Sequence, residues 1–396
     1  MRVKVLVEPV LRQAVVVAVI KCLPTVFLWL LLCSLPLQAT VLPEDRADLL
    51  YHSYDGGGAE ISGPSLLVRK KFSEKASATF NHYVDNVSSA SIDVITTASP
   101  YTEQREENAL SIDYLNEKTL LSVGYGQSTE NDFEASTVSV NMAQDMFGDL
   151  TTVSLGYAQG DNTVRRNGDT SFAREVVTRN YRLSLSQVIS KDFLMAFALE
   201  TMTDEGFLNN PYRQVRYINS DNLTRGYDYQ EELYPNTRTS HALALRGRYY
   251  LPQRAALHGG YRYFTDTWGI QAHTFELGYT LPYQEDWLFE FNYRYYDQTR
   301  ADFYADLFQT VDEFIFLARD KELSTFTTQT FGLGASYEFK KNGSGFLKRG
   351  NLNLHYDFIR FDYADFRDLT VSSAVGEEPL YSFDAAVIRF FVSIWF

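Results

Sequence analysis

Hydrophobic and polar positions alternate along most of the chain from about residue 45 onward. Successive side chains of a β-strand point to opposite faces, so this period of two predicts strands with one apolar and one polar face. The segment 287–296 shows it clearly, because Arg294 falls in the polar phase. An arginine that faces lipid at the bilayer midplane costs about 2–4 kcal/mol, so we expect Arg294 to point inward. The apolar phase of this segment is Trp287, Phe289, Phe291, Tyr293 and Tyr295.

The final segment, Val387 to Phe396, follows the same pattern. One of its phases is large and apolar throughout, while the other contains Arg389 and Ser393. We interpret this segment as the last strand of a closed sheet, ending at the membrane interface. We also expect its apolar phase to serve as a signal for the barrel assembly machinery. The residues of this predicted signal are Phe390, Val392, Ile394 and Phe396.

Short and long connections alternate between the predicted strands. The short ones include Ser73-Glu74-Lys75, Asn116-Glu117-Lys118, Ser190-Lys191-Asp192, Leu251-Pro252-Gln253 and Leu281-Pro282-Tyr283. The long ones are acidic and rich in Gly, Asn and Asp, and we place GDNTVRRNGDTSFAREV among them. This asymmetry is typical of an all-β transmembrane antiparallel barrel with short periplasmic turns and long extracellular loops. Counting from a first strand near residues 45–54 gives about 16 strands. The alternative is a soluble β-sandwich or lipocalin-like barrel, whose core would replace the lipid.

Composition narrows the class of protein further. The chain has 28 Phe and 27 Tyr, yet its mean hydropathy is −0.24, which excludes a helical membrane protein with long apolar spans. Its net charge is −14, and nucleic acid is therefore not expected as a partner.

The first 39 residues have the pattern of a signal peptide, with a basic start, an apolar stretch and Ala39 at the end. We therefore divide the chain into a signal peptide, 1–39, and an outer-membrane β-barrel, 40–396. A membrane anchor is the alternative interpretation of the apolar stretch. Both cysteines, Cys22 and Cys33, lie in this leader. A mature chain without thiols has neither disulfides nor thiolate metal sites.

Several stretches resemble the bacterial family known as domain of unknown function 3570. They are YHSYDGGG (Tyr51 to Gly58), GPS (Gly63 to Ser65), DEGFLNNPYR (Asp204 to Arg213), AALHGGYRYFTDTWGI (Ala255 to Ile270) and ARDKELSTF (Ala318 to Phe326). The resemblance covers essentially the whole mature chain. It implies an outer-membrane barrel without an assigned role, encoded in some genomes beside exported redox or flavin-attachment proteins. It supplies no catalytic residues.

The predicted inward phases of several neighbouring strands contain a ladder of charged groups. If residues 251–255 form a turn, Arg248 lies opposite His258, and a tight connection at 266–270 brings Arg262 diagonally close to Glu276. Such a ladder could order polar solutes in the lumen, or its members could simply neutralise one another and stiffen the wall. The ladder residues are Arg246, Arg248, His258, Arg262, Glu276, Glu290 and Arg294.

The connection Gln298 to Ser324 has apolar residues every four positions, which predicts a short amphipathic helix. Folded inward, this helix would constrict the pore. Lying across the rim is the alternative. The apolar residues are Phe303, Leu307, Val311 and Ile315.

The six histidines give little support for an enzyme. His355 shares an inward phase with Asp357, but no serine is placed beside this pair, and catalysis needs a positioned nucleophile or a second carboxylate. No two histidines have the close spacing of metal ligands. We therefore predict no catalytic site, no metal site and no cofactor.

These observations together predict an outer-membrane barrel that acts as a channel or binding barrel for a small polar solute. The competing hypothesis is a non-conducting barrel that serves as a scaffold or receptor for an exported envelope protein, for example a redox protein. The other expected partners are outer-membrane lipid, lipopolysaccharide and the barrel assembly machinery.

Overall fold

The structure is a computed structural model, and it describes residues 41–89, 101–340 and 347–396. The predicted signal peptide lies outside these residues. No helix in the described part of the chain has the length and apolarity of a membrane span.

The described residues form eighteen strands, and sixteen of these close into one antiparallel barrel. This confirms the predicted fold class and strand number. The remaining two strands, β10 and β11, pair only with each other. The bounds of the barrel strands are β1 Arg46–Gly56, β2 Ala59–Lys71, β3 Ala76–Ser89, β4 Tyr101–Asn116, β5 Thr119–Thr129, β6 Phe133–Met146, β7 Thr151–Arg166, β8 Asp169–Ser190, β9 Phe193–Gly206, β12 Thr237–Tyr250, β13 Ala256–Asp266, β14 Gln271–Tyr283, β15 Trp287–Gln298, β16 Phe326–Lys340, β17 Arg349–Arg367 and β18 Leu380–Trp395; the separate pair is β10 Gln214–Ile218 and β11 Tyr227–Glu231.

The first and last strands complete the barrel wall. Every residue of β1 has a partner on β18, from Arg46 opposite Trp395 to Gly56 opposite Ala385. Each strand of the barrel therefore has two neighbours, and neither β1 nor β18 is an open edge. A barrel needs this closure in lipid, where an unpaired backbone group has no water to bind.

The two ends of the barrel differ in their connections. At one end, which we call the turn end, the chain enters β1 and leaves β18, and the described turns are short. At the other end, which we call the loop end, three of the described connections are long: residues 207–236, 299–325 and 368–379. The described turns of the turn end are 72–75, 117–118, 147–150, 191–192, 251–255 and 284–286.

Two predicted connections differ from the structure. The stretch GDNTVRRNGDTSFAREV was expected to be a long loop, but β7 and β8 extend through it and meet at a turn of residues 167–168. Its polar residues belong to two long strands of 16 and 22 residues, so polarity alone misplaced the boundary. The turn expected at Leu281-Pro282-Tyr283 also lies later, at 284–286.

A two-residue turn joins β1 to β2 at the loop end. Gly57 and Gly58 have φ angles of 59° and 78°. Positive φ at both central positions is what a hairpin turn of type I′ requires, and glycine adopts it without steric cost. A side chain at Gly57 would also meet the ring of Phe383, since an added Cβ would lie 2.9 Å from it.

The outer face of the barrel is apolar, as the alternation predicts. The outward side chains on the best-predicted segments are exposed, for example Phe291 on β15, Leu245 on β12 and Leu155 on β7. Exposed apolar side chains on this scale fit a surface that meets lipid, because soluble monomers rarely expose large contiguous apolar patches.

We predict that an arginine on the outer face is far more costly than one on the inner face of the same strand. Val140 lies near the middle of β6 and is exposed on the outer face, whereas the neighbouring Ser139 faces Gly124 and Ala158 across the inner wall. Val140→Arg should lower the free energy of folding into lipid vesicles by about 2–4 kcal/mol in a denaturant titration. Ser139→Arg is the matched control, and an equal loss in both variants would contradict the assignment of the two faces.

Candidate functional site

The three long connections of the loop end fold into the mouth of the barrel, and we call them together the plug: residues 207–236, 299–325 and 368–379. Buried plug residues form one apolar cluster with inward-facing residues from strands around the barrel. The plug contributes Tyr212, Tyr234, Ala301, Tyr304, Ala318 and Leu323, and the wall contributes Tyr54, Ile61, Val87, Val164, Phe264 and Ile359, among others. The plug therefore packs against several sides of the wall at this end.

Two of the plug segments are joined by backbone hydrogen bonds. Ile218 donates its amide to the carbonyl of Phe308 at 2.9 Å, and Phe308 donates to the carbonyl of Arg216 at 2.9 Å. A second contact joins Leu233 and Leu317 in both directions, at 3.0 and 2.8 Å. The buried backbone of the plug is thereby satisfied by short strand-like pairings between segments that are far apart in sequence.

Arg216 joins the three segments of the plug through its side chain. It is fully buried, and its guanidinium donates to both carboxylate oxygens of Glu378, at 2.6 and 3.1 Å. It also pairs with the Asp306 carboxylate and donates from Nε to the Asp306 carbonyl at 2.9 Å. A bidentate arginine–carboxylate pair is the strongest type of ion pair that side chains form, and it fixes geometry as well.

A second arginine extends this network. Arg319 is buried, and its guanidinium pairs with Asp306 at 2.9 Å. Its backbone amide donates to Glu232 Oε1 at 2.7 Å, while Tyr234 Oη donates to Glu232 Oε2 at 2.5 Å.

Arg213 and Asp320, both buried, form a further ion pair between the same two segments. Removal of one member would leave a buried charge without its partner, which typically costs about 3–5 kcal/mol of stability for each broken pair.

The plug is also fixed to the wall. Tyr212 Oη donates to Asp132 Oδ2 at 3.1 Å and accepts from the Asn167 amide at 2.6 Å. Asp132 is one of three buried carboxylates, with Glu103 and Glu130, whose oxygens lie within 4.8 Å of one another. Arg105 Nε lies 3.8 Å from Glu130. These contacts anchor the segment 207–236 on the side of β4 to β8.

A cavity of about 500 Å³ lies in the lumen beside the plug. Its lining combines apolar side chains of the plug and of the barrel wall with charged side chains of the strands. The apolar part includes Phe207, Leu208, Tyr234, Phe264, Trp268, Tyr296, Leu323 and Phe326; the charged part includes Arg182, Glu200, Arg246, Arg262, Glu276 and Arg294. A cavity of this volume, lined by both apolar and charged side chains, is typical of a binding site for a small organic molecule.

Four of the predicted ladder residues line this cavity: Arg246, Arg262, Glu276 and Arg294. The other three, Arg248, His258 and Glu290, do not. Arg248 lies opposite His258, as the turn at 251–255 predicts. The His258 ring covers Gly278 on the next strand, where an added Cβ would lie 2.0 Å from Nε2. Glycine at position 278 thus lets the imidazole lie flat against the wall.

The ion pairs of the ladder differ from the expected ones. Arg262 does not pair with Glu276 but with Glu200 on the far side of β12, at 3.7 Å. Glu276 instead lies directly opposite Arg294 in the register, and their charged atoms are 3.8 Å apart. The predicted diagonal placement itself is confirmed, because Arg262 lies opposite Thr274 and Glu276 lies opposite Gly260. The charged atoms nonetheless meet other partners, since β12 brings Glu200 of β9 within reach of Arg262.

His355 and Asp357 share the inward face of β17 but do not form a catalytic pair. Asp357 binds Arg389 at 2.5 Å, and His355 Nδ1 lies 3.9 Å from Glu290. Asp357 thus finds its partner on the neighbouring strand β18, whereas His355 reaches past Gly334 of β16 toward Glu290 on β15. The arrangement that catalysis would require of His355 is not formed.

The predicted constriction helix is wrong, although its segment does enter the mouth of the barrel. Residues 299–325 contain a single 3₁₀ turn, Lys321–Leu323, and otherwise run as turns and isolated bridges. Phe303 packs against the buried cluster, whereas Val311 and Ile315 are exposed. Leu307 contacts the segment 368–379, since its side chain lies 3.3 Å from where a Cβ on Gly376 would be. The apolar spacing of four therefore does not mark one helical face.

The predicted assembly signal lies on the last strand as expected. Phe390 is exposed on the outer face of β18, and Val392 and Ile394 share that phase. Phe396 follows the strand, and the Lys70 ammonium lies 5.0 Å from the centre of its ring. Recognition of these residues by assembly machinery stays a prediction.

Sequence reasoning missed the plug residues that matter most, namely Arg216, Arg319, Asp306, Glu378 and Glu232. Arg216 and Glu378 are 162 positions apart, so no local pattern connects them. The one available signal was the presence of arginines within acidic, aromatic-rich connections.

These features define the class of protein: a closed sixteen-stranded antiparallel barrel whose mouth is filled by its own loops. A family model described as "Protein of unknown function (DUF3570)" matches residues 61–347. The chain belongs to this family, which confirms the resemblance seen in the sequence. No curated protein matches the chain.

Several solved structures are similar to it at low identity. A structure titled "Bacterial polysaccharide outer membrane secretin" has a TM-score of 0.47 at 8% identity, covering 89% of this chain and 99% of the other. The siderophore receptor PirA from Pseudomonas aeruginosa has a TM-score of 0.42 at 11% identity, covering 89% of this chain and 63% of the receptor. The CymD monoaromatic hydrocarbon channel has a TM-score of 0.42 at 10% identity, covering 90% and 89%. Likenesses this distant transfer nothing from those proteins to this chain.

We predict that the plug becomes less stable as pH rises toward and through neutrality. Burial, followed by the nearby Asp320 charge, raises the pKa of Glu232 from 4.5 to about 7. Between pH 4.5 and about 7, Glu232 therefore keeps a proton in the folded plug that it has lost in the unfolded segment. The stability of the plug consequently falls as pH rises from 4.5 through 7. Amide protection factors in residues 207–236, measured by hydrogen exchange on both sides of this pKa, should be larger on the acidic side.

Glu232→Gln is the matched variant, because glutamine has nearly the same shape and does not titrate. It should flatten the dependence of the protection factors on pH. Protection that rises with pH in the unmodified protein, or a slope that persists in Glu232→Gln, would contradict this assignment.

Proposed function

We propose that the protein is an outer-membrane barrel that binds a small solute in its lumen and passes it when the plug moves. The observation that carries this proposal is the cavity of about 500 Å³, which has the plug on one side and charged strand residues on the other. An apolar outer face supports placement in a lipid bilayer, and export by the predicted leader supports the outer membrane.

The plug favours a gated barrel over an open pore. The described turns at the opposite end contain two to five residues, as the bounds of the strands show, and are too short to fold far into the lumen. The loop end, in contrast, is filled by an apolar cluster and a network of buried ion pairs. Solute passage from the loop end therefore requires movement of the plug.

The competing hypothesis, a non-conducting scaffold or receptor for an exported envelope protein, makes a different prediction. A scaffold has no need of a passage behind the plug, and loosening the plug should then leave the barrel silent. Conductance separates the two hypotheses, provided that each variant is shown to be folded.

We predict that Arg216→Ala converts a closed barrel into one that opens in steps. The substitution removes the ion pairs with Glu378 and Asp306 and leaves two carboxylates buried without this partner, so the three segments of the plug should separate from one another more often. Planar-bilayer recordings should show no stepwise current for the unmodified protein and repeated openings for the variant. Arg225→Ala is the control, because Arg225 lies in the same segment on the exposed surface.

Heat-modifiable migration on gels would show that all three proteins are folded barrels. Steady current from the unmodified protein would contradict a closed plug. Silence of folded Arg216→Ala over repeated insertions would contradict a passage and favour the scaffold.

A further inference from the structure

The cavity beside the plug contains three arginines that have no hydrogen-bonded acceptor. We call Arg246 on β12, Arg262 on β13 and Arg294 on β15 the arginine triad, and all three line the cavity. Within the described residues, none of their guanidinium groups donates a hydrogen bond. A guanidinium has five N–H donors, so the triad presents an unusually large number of unused donors to one space.

The neighbouring carboxylates do not satisfy the triad. Glu200 lies 3.7 Å from Arg262, but it already accepts from Asn180 at 2.8 Å and from Arg182 at 3.0 Å. Glu276 lies 3.8 Å from Arg294, which is beyond hydrogen-bond distance. Arg246 has no ion-pair partner among the described residues.

Three further acids line the cavity. Asp204 accepts from the Thr178 hydroxyl at 2.9 Å, Asp320 is paired with the buried Arg213, and Glu322 belongs to the 3₁₀ turn of the plug. Among the described residues, only Glu200 and Glu276 lie within ion-pair distance of the triad, and Glu200 already accepts other hydrogen bonds. An oxyanion placed among the three guanidinium groups would receive charge-assisted hydrogen bonds that the protein itself does not supply.

The remainder of the cavity is suited to an apolar body. Tyr234 and Leu323 from the plug face the lumen together with Phe264, Trp268 and Tyr296 from the wall. Trp268 and Tyr234 pack edge to face, with ring centroids 5.5 Å apart, so the aromatic surface is fixed before any ligand arrives. A charged region and an aromatic region thus share one space of about 500 Å³.

We propose that this cavity binds an amphipathic organic anion, with its carboxylate on the arginine triad and its apolar body against the aromatic residues of the plug and wall. This inference rests on the proposed function, because it names the class of solute that the barrel takes. The aromatic lining disfavours a fully hydrated inorganic ion, and the triad disfavours an amine.

Calorimetric titration of the full mature protein in lipid nanodiscs tests the proposal, with empty nanodiscs as the blank. The probes are 4-phenylbutyrate, its neutral amide 4-phenylbutanamide and the amine 4-phenylbutylamine, which share one apolar body. We expect saturable binding of the carboxylate and binding of the amide and amine that is weaker by about tenfold or more, the loss that charge-assisted hydrogen bonds predict.

Arg246→Met should weaken carboxylate binding by a similar factor of about ten and leave the amide unchanged. Arg248→Met is the matched control, because Arg248 lies on the same inward face of β12 but does not line the cavity. Equal binding of carboxylate and amide would overturn the proposal, as would no binding of either. An equal loss in both methionine variants would also overturn it.

These outcomes are separate from those of the conductance experiment. A folded barrel that opens in Arg216→Ala but does not distinguish the three probes would retain its proposed function and lose this assignment of ligand class. Inorganic phosphate, titrated alone, shows whether the triad recognises an oxyanion without the apolar body, and tight binding of phosphate would overturn the amphipathic ligand.

Discussion

Pairing of every strand on both sides is the constraint on which the rest of the structure depends. In hydrocarbon an unpaired backbone amide or carbonyl costs several kcal/mol because no water replaces the missing partner. The eleven residues of β1 meet this constraint by pairing with β18 along their whole length. Once the sheet is closed, its two faces lie in different surroundings, and the alternation along each strand follows from that difference.

Closure also explains why charge accumulates inside. Inward positions of a barrel this wide cannot all pack against one another, so they tolerate Arg262, Glu276 and His258 at little cost. The plug contains the opposite case, since its residues Arg216 and Arg319 are buried. Arg216 and Arg319 are stable there because Asp306 and Glu378 provide hydrogen-bonded counter-charges in fixed positions. Charged groups around the arginine triad are thus separated by more than hydrogen-bond distance, whereas those around Arg216 in the plug form short hydrogen-bonded pairs.

The wall could be predicted from sequence and the plug could not, and the reason is the range of the contacts. The inward phase of Arg294 follows from its immediate neighbours, because a strand repeats every two residues and lipid penalises charge. Phe303 instead packs against Tyr234, with ring centroids 5.5 Å apart, and Asp312 donates its amide to the side chain of Gln230, which lies 82 positions earlier. A spacing of four residues was read as a helix because local periodicity carries no information on those partners. The ion pair of Arg262 likewise depends on a strand outside the local hairpin, because its partner Glu200 lies on β9.

Each segment of the plug begins and ends in two strands that are themselves hydrogen-bonded neighbours: β9 with β12, β15 with β16, and β17 with β18. The two ends of a segment therefore stay about 5 Å apart, the distance between adjacent strands, whatever the segment does. Such a loop can swing aside but cannot be expelled, unlike a separate domain that leaves the lumen. The tether therefore limits how far the mouth can widen, and under the proposed function resealing would need only the return of loops that never leave their strands.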